Sequence, residues 1–166
     1  MIELEEAKQE ELKSIAEMAD IIWRHYYPAI IPMHQIEYML GSIYNISSLK
    51  KQSLEGQVFL FIKDGNNNEG FISFSKKTDD SFFIHKFYIL PELHKKGLGS
   101  KVMDQLKSRF RKMSEGRNFE IRLTVNRQNF KAVNFYFKHG FVIESVMDFD
   151  IGSGYFMNDF VMLFRE

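Results

Sequence analysis

Two glycines, Gly97 and Gly99, stand between an apolar run that ends at Pro91 and a segment with helical periodicity. A glycine lets the backbone come close to a ligand because no Cβ stands in the way. The first amides of a helix have no intrahelical partner, and the helix dipole adds partial positive charge there. Lys95 and Lys96 add formal positive charge beside the turn. This combination suits a phosphate or a pyrophosphate group.

The sequence of the turn argues against two kinds of phosphate ligand, the nucleoside triphosphates and the dinucleotides. A nucleotide-triphosphate loop needs glycine, then Lys, then Ser or Thr, whereas residues 99–101 read Gly-Ser-Lys. A dinucleotide fingerprint needs a third glycine at position 102, which is Val102. Both nucleotide interpretations are therefore weak, and the turn alone leaves open that its glycines only shape the backbone.

The turn is positioned by a strand before it and a helix after it. Residues 82–90 form an aromatic and β-branched run that predicts a buried strand. Pro91 cannot continue a sheet ladder, so the strand is predicted to end there. Val102, Leu106 and Phe110 then recur at helical spacing.

The rest of the chain supplies the elements that surround this unit. Helices are predicted at 8–25, at 33–44, in a further short stretch capped by Ser47 or Ser48, and after Asn129. The other strands are predicted at 1–6, 57–63, 69–75, 119–125, from 141, and at 156–164. The order is βααβββαβαββ, which predicts a single α/β (α+β) domain over 1–166. Its central sheet is mixed, mostly antiparallel and flanked by helices.

Composition excludes several classes of function. The 166 residues are 45% hydrophobic and 15% aromatic, which is typical of a well-packed globule. Lys and Arg number 22, as do Asp and Glu, so net charge gives no reason to expect nucleic acid or a membrane as partner. The chain has no cysteine, which excludes thiol catalysis, disulfides and cysteine-bound metal. The five histidines lack ligand spacing, so no metal is predicted. An acidic N-terminus and the lack of a long apolar run favour a soluble, cytoplasmic protein.

Two motifs carry a resemblance to a known family. His-Lys-Lys-Gly-Leu-Gly at 94–99 is similar to a Gln/Arg-x-x-Gly-x-Gly/Ala pyrophosphate loop, with His94 departing at the first position. Asn129, Ala132, Tyr136 and the Gly140-Phe141 pair match an Asn-x-x-Ala-x-x-x-Tyr-x-x-x-Gly-Phe pattern. About 30 residues apart within the matching element order, they resemble the GNAT superfamily of acyl-CoA-dependent N-acetyltransferases over most of the chain.

The resemblance implies acetyl-CoA as cofactor and names its contacts. The backbones of Phe87, Tyr88 and Ile89 are expected to pair with pantetheine like an added strand, where the sheet splays between strands 4 and 5. Asn129 is expected to bond the pantetheine arm, and Phe135 is expected to border its thiol end together with Tyr136. The residues expected to hold the pyrophosphate are His94, Lys95, Lys96, Gly97, Leu98, Gly99 and Ser100. Without the family, Asn129 reads as a helix cap and Tyr136 as a core aromatic.

Acetyl transfer needs a neutral amine, a polarised thioester carbonyl and a proton for the departing thiolate. The amide of Ile89 is expected to stabilise the carbonyl oxygen. Tyr136 resembles the family's general acid, since a phenol has a pKa of about 10, close to that of a thiol. His85 is the favoured base, because it lies two and four residues before Phe87 and Ile89 and so shares their face of the sheet. Glu37 and water remain alternatives, as does a purely structural His85.

The acceptor is expected to lie against the loop between the first two helices and the final hairpin. The residues predicted to line it are Trp23, Tyr26, Tyr27, Ile30, Ile31, Glu37, Tyr155, Phe156 and Asp159. The stretch 144–159 carries four acids and no Lys or Arg, which favours a small cationic primary amine. The Tyr-Phe-Met-Asn-Asp-Phe-Val-Met segment also resembles bacterial spermidine/spermine-type acetyltransferases. Transfer is expected to be direct, in a ternary complex.

Two other functions remain open from the sequence. One is a non-catalytic acyl-CoA-binding or regulatory module on the same fold, against which Tyr136 argues. The other is an interaction protein whose aromatic loop pairs with a partner chain. Homodimers are common in this fold, and the sequence fixes no number of copies.

Overall fold

A computed structural model describes residues 1–93 and 97–166 of the chain. The pyrophosphate contacts predicted for His94, Lys95 and Lys96 lie outside the described residues. The strands are Ile2–Glu6 (β1), Val58–Asp64 (β2), Asn67–Thr78 (β3), Ser81–Ile89 (β4), Glu120–Asn126 (β5), Val142–Gly152 (β6) and Tyr155–Arg165 (β7). The α-helices are Leu12–Tyr26 (α1), Met33–Ile43 (α2), Ile46–Leu54 (α3), Leu98–Met113 (α4) and Phe130–Lys138 (α5). No helix in this described part is long and apolar enough to cross a membrane.

The strands form one mixed sheet, as predicted. It has seven strands in the order β1-β2-β3-β4-β5-β7-β6. Strand β4 runs parallel to β5, whereas the pairs β1–β2, β2–β3, β5–β7 and β6–β7 are antiparallel. The parallel register runs from Ser81 opposite Glu120 to Ile84 opposite Leu123. This pairing therefore covers only the first part of β4, as the predicted splay requires.

Helix α3 is the main difference from the predicted order of elements. Its cap is Asn45 rather than Ser47 or Ser48, because the Asn45 side chain accepts a hydrogen bond from the Ser48 amide at 2.9 Å. The first helix also begins later than predicted, at Leu12, because Gln9–Glu11 forms a 3₁₀ turn before it.

The chain divides into two compact units. The first unit comprises residues 1–75 and 86–106, and the second comprises 76–85 and 107–166. The predicted single domain stays a prediction.

The core of the first unit is built on α1 and the β2–β3 hairpin. Ile15, Ala19 and Ile22 recur on one face of α1 and are fully or almost fully buried. Consecutive residues Phe59 to Ile62 of β2 are all buried, so both faces of this strand are covered.

Gly70 marks a close approach of β3 to β4 in the first unit. A Cβ built on Gly70 would lie 2.2 Å from the Tyr88 carbonyl oxygen and 2.9 Å from the Ile89 Cα. Both atoms belong to the backbone and cannot rotate away. Only glycine therefore allows the two strands to lie this close.

The core of the second unit is aromatic. Phe82 of β4 stacks on Phe110 of α4 with ring centroids 4.2 Å apart, and Phe119 packs edge-on against Phe82. Ile121 and Leu123 of β5 point into this core and alternate with half-buried residues, which confirms the predicted strand.

Candidate active site

The described part of the glycine turn has a left-handed residue directly before a helix. Gly97 has a φ of 67°, which favours glycine, and α4 begins at Leu98. A Cβ on Gly97 would meet no atom of the described residues within 4 Å. The Lys101 amide donates a hydrogen bond to the Gly97 carbonyl at 3.3 Å, so the hydrogen-bonding pattern of α4 starts at Gly97. Such a helix start suits an anionic group. Gly97 lies in the turn, and Leu98, Gly99 and Ser100 are the first residues of α4.

The end of β4 carries the residues predicted to pair with pantetheine. Phe87 and Tyr88 are half-buried and Ile89 is buried. All three follow the last β4–β5 register pair, which is Ile84 with Leu123. Their backbone therefore lies beyond the registered parallel pairing.

An aromatic cluster surrounds Tyr88 in the first unit and consists of Trp23, Tyr27, Tyr44, Phe71 and Tyr88. Trp23 stacks on Tyr27 at 4.0 Å, and Tyr44 donates a hydrogen bond to the Tyr88 hydroxyl at 3.3 Å. Burial raises the pKa of Tyr44 well above its ordinary value, so its phenol stays protonated. Trp23 and Tyr27, predicted to line the acceptor, thus pack together. Tyr44 and Phe71 were not predicted, because helical and strand periodicity marks them only as core.

Tyr26 links the end of α1 to the residues that follow β4. Its hydroxyl donates to the Pro91 carbonyl oxygen at 3.4 Å. Burial, and then the charge of Glu92, raise the pKa of Tyr26. Ile21, Arg24, His25, Pro91 and Glu92 line an open depression beside this contact. Ile31, predicted to line the acceptor, is half-buried in the loop before α2.

Glu37, the second candidate base, is engaged in an ion pair. Arg24 binds both of its carboxylate oxygens, one of them at 3.1 Å, and also donates to Asp20 at 2.9 Å. The hydrogen bonds from Arg24 lower the pKa of Glu37. A carboxylate held in this way is a weaker proton acceptor, which favours His85 among the predicted bases.

Lys86 is a buried cation that sequence reasoning missed. Its side chain is 5% exposed, and its Nζ donates to Gln52 at 2.5 Å and to Gln57 at 3.2 Å. The same Nζ lies over the rings of Tyr44 and Phe59 at 5.6 and 5.4 Å. Burial lowers the pKa of Lys86 to about 8. The only signal in the sequence was a lysine inside an otherwise apolar strand.

The second unit holds the two residues predicted to move protons. His85 is half-buried on β4, with its ring 4.8 Å from that of Phe83. Tyr136 is buried on α5 between Phe135 and Phe141, whose ring centroids lie 5.4 and 5.5 Å away. The catalytic roles of His85 and Tyr136 stay predictions.

Asn129 caps α5, as predicted. Its side-chain oxygen accepts a hydrogen bond from the Ala132 amide at 3.2 Å. This hydrogen bond uses the side-chain oxygen of Asn129, so its side-chain NH₂ group would make the contact with pantetheine.

The acids of residues 144–159 differ sharply in their partners. Glu144 accepts two hydrogen bonds from Arg122, at 2.8 and 2.9 Å, and Asp148 binds Arg127 at 2.5 Å. Asp150 accepts from the Gly152 amide at 2.8 Å. These three side chains are therefore already engaged within the second unit.

Asp159 of β7 is the exception among these acids. It is buried, and no Lys, Arg or His forms a salt bridge with it among the described residues. Burial raises the pKa of Asp159 to about 6, while a hydrogen bond with Thr124 and the charge of Arg127 act in the opposite direction. Tyr155, at the start of the same strand, is half-buried. In residues 1–93 and 97–166 no group of three or more His, Asp or Glu could hold a metal ion.

Solved structures define the class of protein to which this architecture belongs. PaiA N-acetyltransferase from Thermoplasma acidophilum, solved in complex with coenzyme A, is 26% identical with a TM-score of 0.79, over 100% of this chain and 99% of that one. A spermidine N-acetyltransferase SpeG chimera from Vibrio cholerae and hSSAT has a TM-score of 0.70 at 16% identity, over 98% and 94% of the two chains. This second likeness shows the fold alone. The class is that of the acetyl-CoA-dependent N-acetyltransferases.

The sequence itself identifies the family. The Acetyltransferase (GNAT) family matches residues 15–141, and the chain belongs to this family. A spermidine N(1)-acetyltransferase of Thermoplasma acidophilum is 27% identical over 148 residues, which cover 86% of this chain and 89% of that protein. The predicted family, enzyme class and cofactor are thus confirmed, and the cofactor is acetyl-CoA.

Proposed function

We propose that this enzyme transfers an acetyl group from acetyl-CoA to a primary amine of a small, cationic, polyamine-like acceptor. The observation that carries the proposal is the buried carboxylate of Asp159, which lacks a cationic partner among the described residues. An ammonium group beside it would offset the cost of burying that charge. The distant relative named as a spermidine N(1)-acetyltransferase supports the same acceptor class.

The neighbouring acids support Asp159 rather than another residue as the anchor. Asp148 and Glu144 already bind arginines, and Asp150 binds a backbone amide. An ammonium group that approached them would have to compete with these contacts. Among the described residues, Asp159 has a hydrogen bond with Thr124 and feels the charge of Arg127, but it forms no salt bridge.

The described residues of the glycine turn fit the cofactor. Gly97 stands directly before the N-terminus of α4, where the diphosphate of a coenzyme would be held by peptide N–H groups. Phe87, Tyr88 and Ile89 would pair with the pantetheine arm beyond the registered part of β4. Asn129 and Phe135 would bind the same arm nearer its thiol. Acetyl-CoA supplies the activated acetyl thioester.

Three groups of the chain would then carry out the transfer. The Ile89 amide would donate a hydrogen bond to the thioester oxygen as negative charge develops there. A ring nitrogen of His85 would take the proton of the attacking amine, directly or through water. The Tyr136 hydroxyl would give a proton to the departing sulfur. Attack is direct, since the chain has no cysteine to form a thioester.

A release assay for coenzyme A tests the acceptor class. Wild-type enzyme is offered spermidine, a diamine and a neutral-tailed primary amine of matched length. We expect kcat/KM to be at least about 10-fold higher for the cationic acceptors, which corresponds to 1.4 kcal/mol. Equal values for the neutral-tailed amine would contradict the proposal. Binding of acetyl-CoA without turnover of any amine would favour a non-catalytic module.

Asp159→Asn tests the anchor, with Asp150→Asn as the matched control on the same hairpin. Loss of one partner of a buried charge pair costs about 2–5 kcal/mol, so kcat/KM for the cationic acceptor should fall about 100-fold in Asp159→Asn. The neutral-tailed amine should be affected far less, and Asp150→Asn should resemble the wild type. A uniform fall for all amines would remove Asp159 from the acceptor site.

Tyr136→Phe and His85→Ala test the two proton-transfer roles. Tyr136→Phe should lower turnover by about 100-fold, the typical contribution of a general acid, with little change in affinity for coenzyme A. His85→Ala should flatten the acidic limb of the pH profile. An unchanged limb would indicate water or Glu37 as the base, and a wild-type rate in Tyr136→Phe would exclude its acid role.

A further inference from the structure

Lys107 of α4 reaches the carboxyl-terminal end of α5 within the second unit. Its Nζ donates a hydrogen bond to the main-chain carbonyl of His139 at 2.6 Å. The same Nζ lies 3.6 Å from the centre of the Phe164 ring and 5.7 Å from the centre of the Phe141 ring. This half-buried ammonium group therefore has one polar and two aromatic partners at the end of a single short helix.

The carbonyl group that Lys107 binds belongs to the cap of α5. This helix has only nine residues, and His139 is its C-cap. The carbonyl oxygens at the end of a helix lack intrahelical donors and carry the partial negative charge of the helix dipole. A cation that donates to one of them satisfies the oxygen and offsets this charge. Lys107 therefore stabilises the end of α5 from a neighbouring helix.

Tyr136 lies in the last turn of α5, and its backbone is held by the residues of the cap. Its carbonyl oxygen accepts hydrogen bonds from the His139 amide and from the Phe141 amide, each at 3.0 Å. Gly140, between these two residues, has a φ of 81°, the left-handed conformation that ends many helices. A shift of residues 139–141 would therefore disturb the backbone that carries Tyr136.

The ring of Tyr136 is connected to Lys107 by a second set of contacts. Tyr136 packs against Phe141 with ring centroids 5.5 Å apart, and Phe141 packs against Phe164 at 5.6 Å. Lys107 lies over both phenylalanine rings. The backbone and the ring of Tyr136 are thus both held by groups that Lys107 contacts directly.

We propose that Lys107 is a positioning residue for Tyr136 in acetyl transfer. The inference rests on the proposed role of Tyr136 as the acid that protonates the departing thiolate. Such a proton transfer needs hydrogen-bond distance between the phenol and the sulfur, so the place of the ring matters. Misplacement of a reacting group by about 1 Å can lower a rate about 100-fold. Lys107 acts through Tyr136 and not on the substrate.

Assays of coenzyme A release compare Lys107→Met with Lys107→Arg. The methionine variant keeps the aliphatic stem but loses the donor and the charge, so kcat should fall about 10-fold while KM for acetyl-CoA changes less than about 2-fold. Arginine keeps the donor and the charge and should restore kcat to within about 3-fold of the wild type. The matched control, Lys112→Met, removes an exposed lysine of the same helix and should leave kcat unchanged. A wild-type kcat in Lys107→Met, or an arginine variant as slow as the methionine variant, would overturn the proposal.

A double-mutant cycle with Tyr136→Phe separates positioning from a general loss of structure. If Lys107 acts through the Tyr136 hydroxyl, Lys107→Met should lower kcat less than about 2-fold once that hydroxyl is gone. An equal loss with and without the hydroxyl would overturn the positioning role and leave the acid role of Tyr136 intact. A wild-type rate in Tyr136→Phe alone would instead remove the acid role, and the positioning role with it.

Lys107→Gln replaces Lys107→Met in the same cycle if the methionine variant does not fold. Its neutral amide retains a donor for the His139 carbonyl but lacks the charge, so kcat should fall less than in Lys107→Met. This smaller loss should also disappear in the Tyr136→Phe background. A loss of the same size in both backgrounds would overturn the proposal here too.

Discussion

Lys86 in the first unit and Asp159 in the second are both buried and charged, yet their surroundings differ in kind. Lys86 is surrounded by acceptors, with Gln52 and Gln57 at its Nζ and two aromatic rings beside it. Asp159 has the Thr124 side chain and no salt bridge among the described residues. Burial lowers the pKa of Lys86 and raises that of Asp159.

The difference separates a structural charge from a charge that suits a ligand. The Lys86 ammonium donates to two side chains of the folded chain, so it ties α3 and the neighbouring strands together without a ligand, although burial still lowers its pKa. Gln57 also accepts a hydrogen bond from Ser73 at 2.6 Å, which extends this network across β3. Asp159 instead carries a cost of burial that Thr124 and Arg127 offset only in part, and a cationic acceptor would reduce it further. The same physical condition, burial of one charge, thus points to two different roles.

Asp159→Asn should stabilise the enzyme, and this is the largest expected effect. At pH 7 the rise of the Asp159 pKa to about 6 corresponds to a penalty of at most about 3 kcal/mol, which an amide of the same shape avoids. Urea unfolding at pH 7 should therefore give a higher free energy of unfolding. A destabilised variant would mean that contacts within the folded chain, such as the hydrogen bond with Thr124, outweigh the cost of burying the Asp159 charge.

Lys86→Met should change the free energy of unfolding less than Asp159→Asn does. It leaves the half-buried Gln52 oxygen without its donor, at a cost of about 1–3 kcal/mol, but it also removes a buried ammonium group whose lowered pKa reflects an opposing cost of burial. The matched control is Lys51→Met on α3, whose ammonium lies 3.8 Å from Glu55 on the surface. Urea unfolding of both variants checks the prediction. A change larger than that of Asp159→Asn would show that these two effects do not offset each other.

The two buried charges should make the free energy of unfolding change with pH in opposite directions. Between about pH 4 and 6 the folded state binds more protons at Asp159 than the unfolded state, so this group makes stability fall as pH rises through about 6. Between about pH 8 and 10.5 the folded state binds fewer protons at Lys86, so stability rises with pH. Each slope is at most about 1.4 kcal/mol per pH unit.

Differences between variant and wild type isolate these slopes from other titrating groups. Asp159→Asn should lose only the acidic slope and Lys86→Met only the basic one, measured as the free energy of unfolding at several pH values. Loss of both slopes in either variant would mean that the two groups do not titrate independently.

Glu37→Gln should have the smallest effect. The Arg24–Glu37 pair is solvent-exposed, so its attraction is screened and its loss should shift Tm only slightly. High salt should reduce the difference from the wild type further. A large shift, comparable with those of the buried charges, would contradict the view that burial decides the energetics here.

Much of the fold could be predicted from the sequence because local signals agreed with one another. Alternation over 119–125, the Asn129 cap and the glycine turn after Pro91 each specify their element without help from distant residues. Helix α3 was harder to place, because Asn45 caps it through a side-chain bond that Ser47 or Ser48 could also have made. The exposure of β6 escaped prediction, since alternation does not distinguish an edge strand from a covered one.

The candidate site was predicted less completely. Motifs named the residues of the glycine turn and Asp159, because their types carry the chemistry directly. Lys86 and Tyr44 were missed, since burial of a polar group depends on which distant side chains surround it. The ion pair of Glu37 with Arg24 was likewise missed. It joins two helices, and no sequence spacing predicts such a contact.

The contact between Gly70 and the Tyr88 backbone limits how this sequence can diverge. Every side chain begins with a carbon atom, and at position 70 that first carbon already overlaps the neighbouring strand. A descendant that exchanged this glycine would have to move β4, and with it Phe87, Tyr88 and Ile89, which are proposed to meet the pantetheine arm. Sequences that descend from this one and keep its activity are therefore expected to keep Gly70, although this residue bears no functional group.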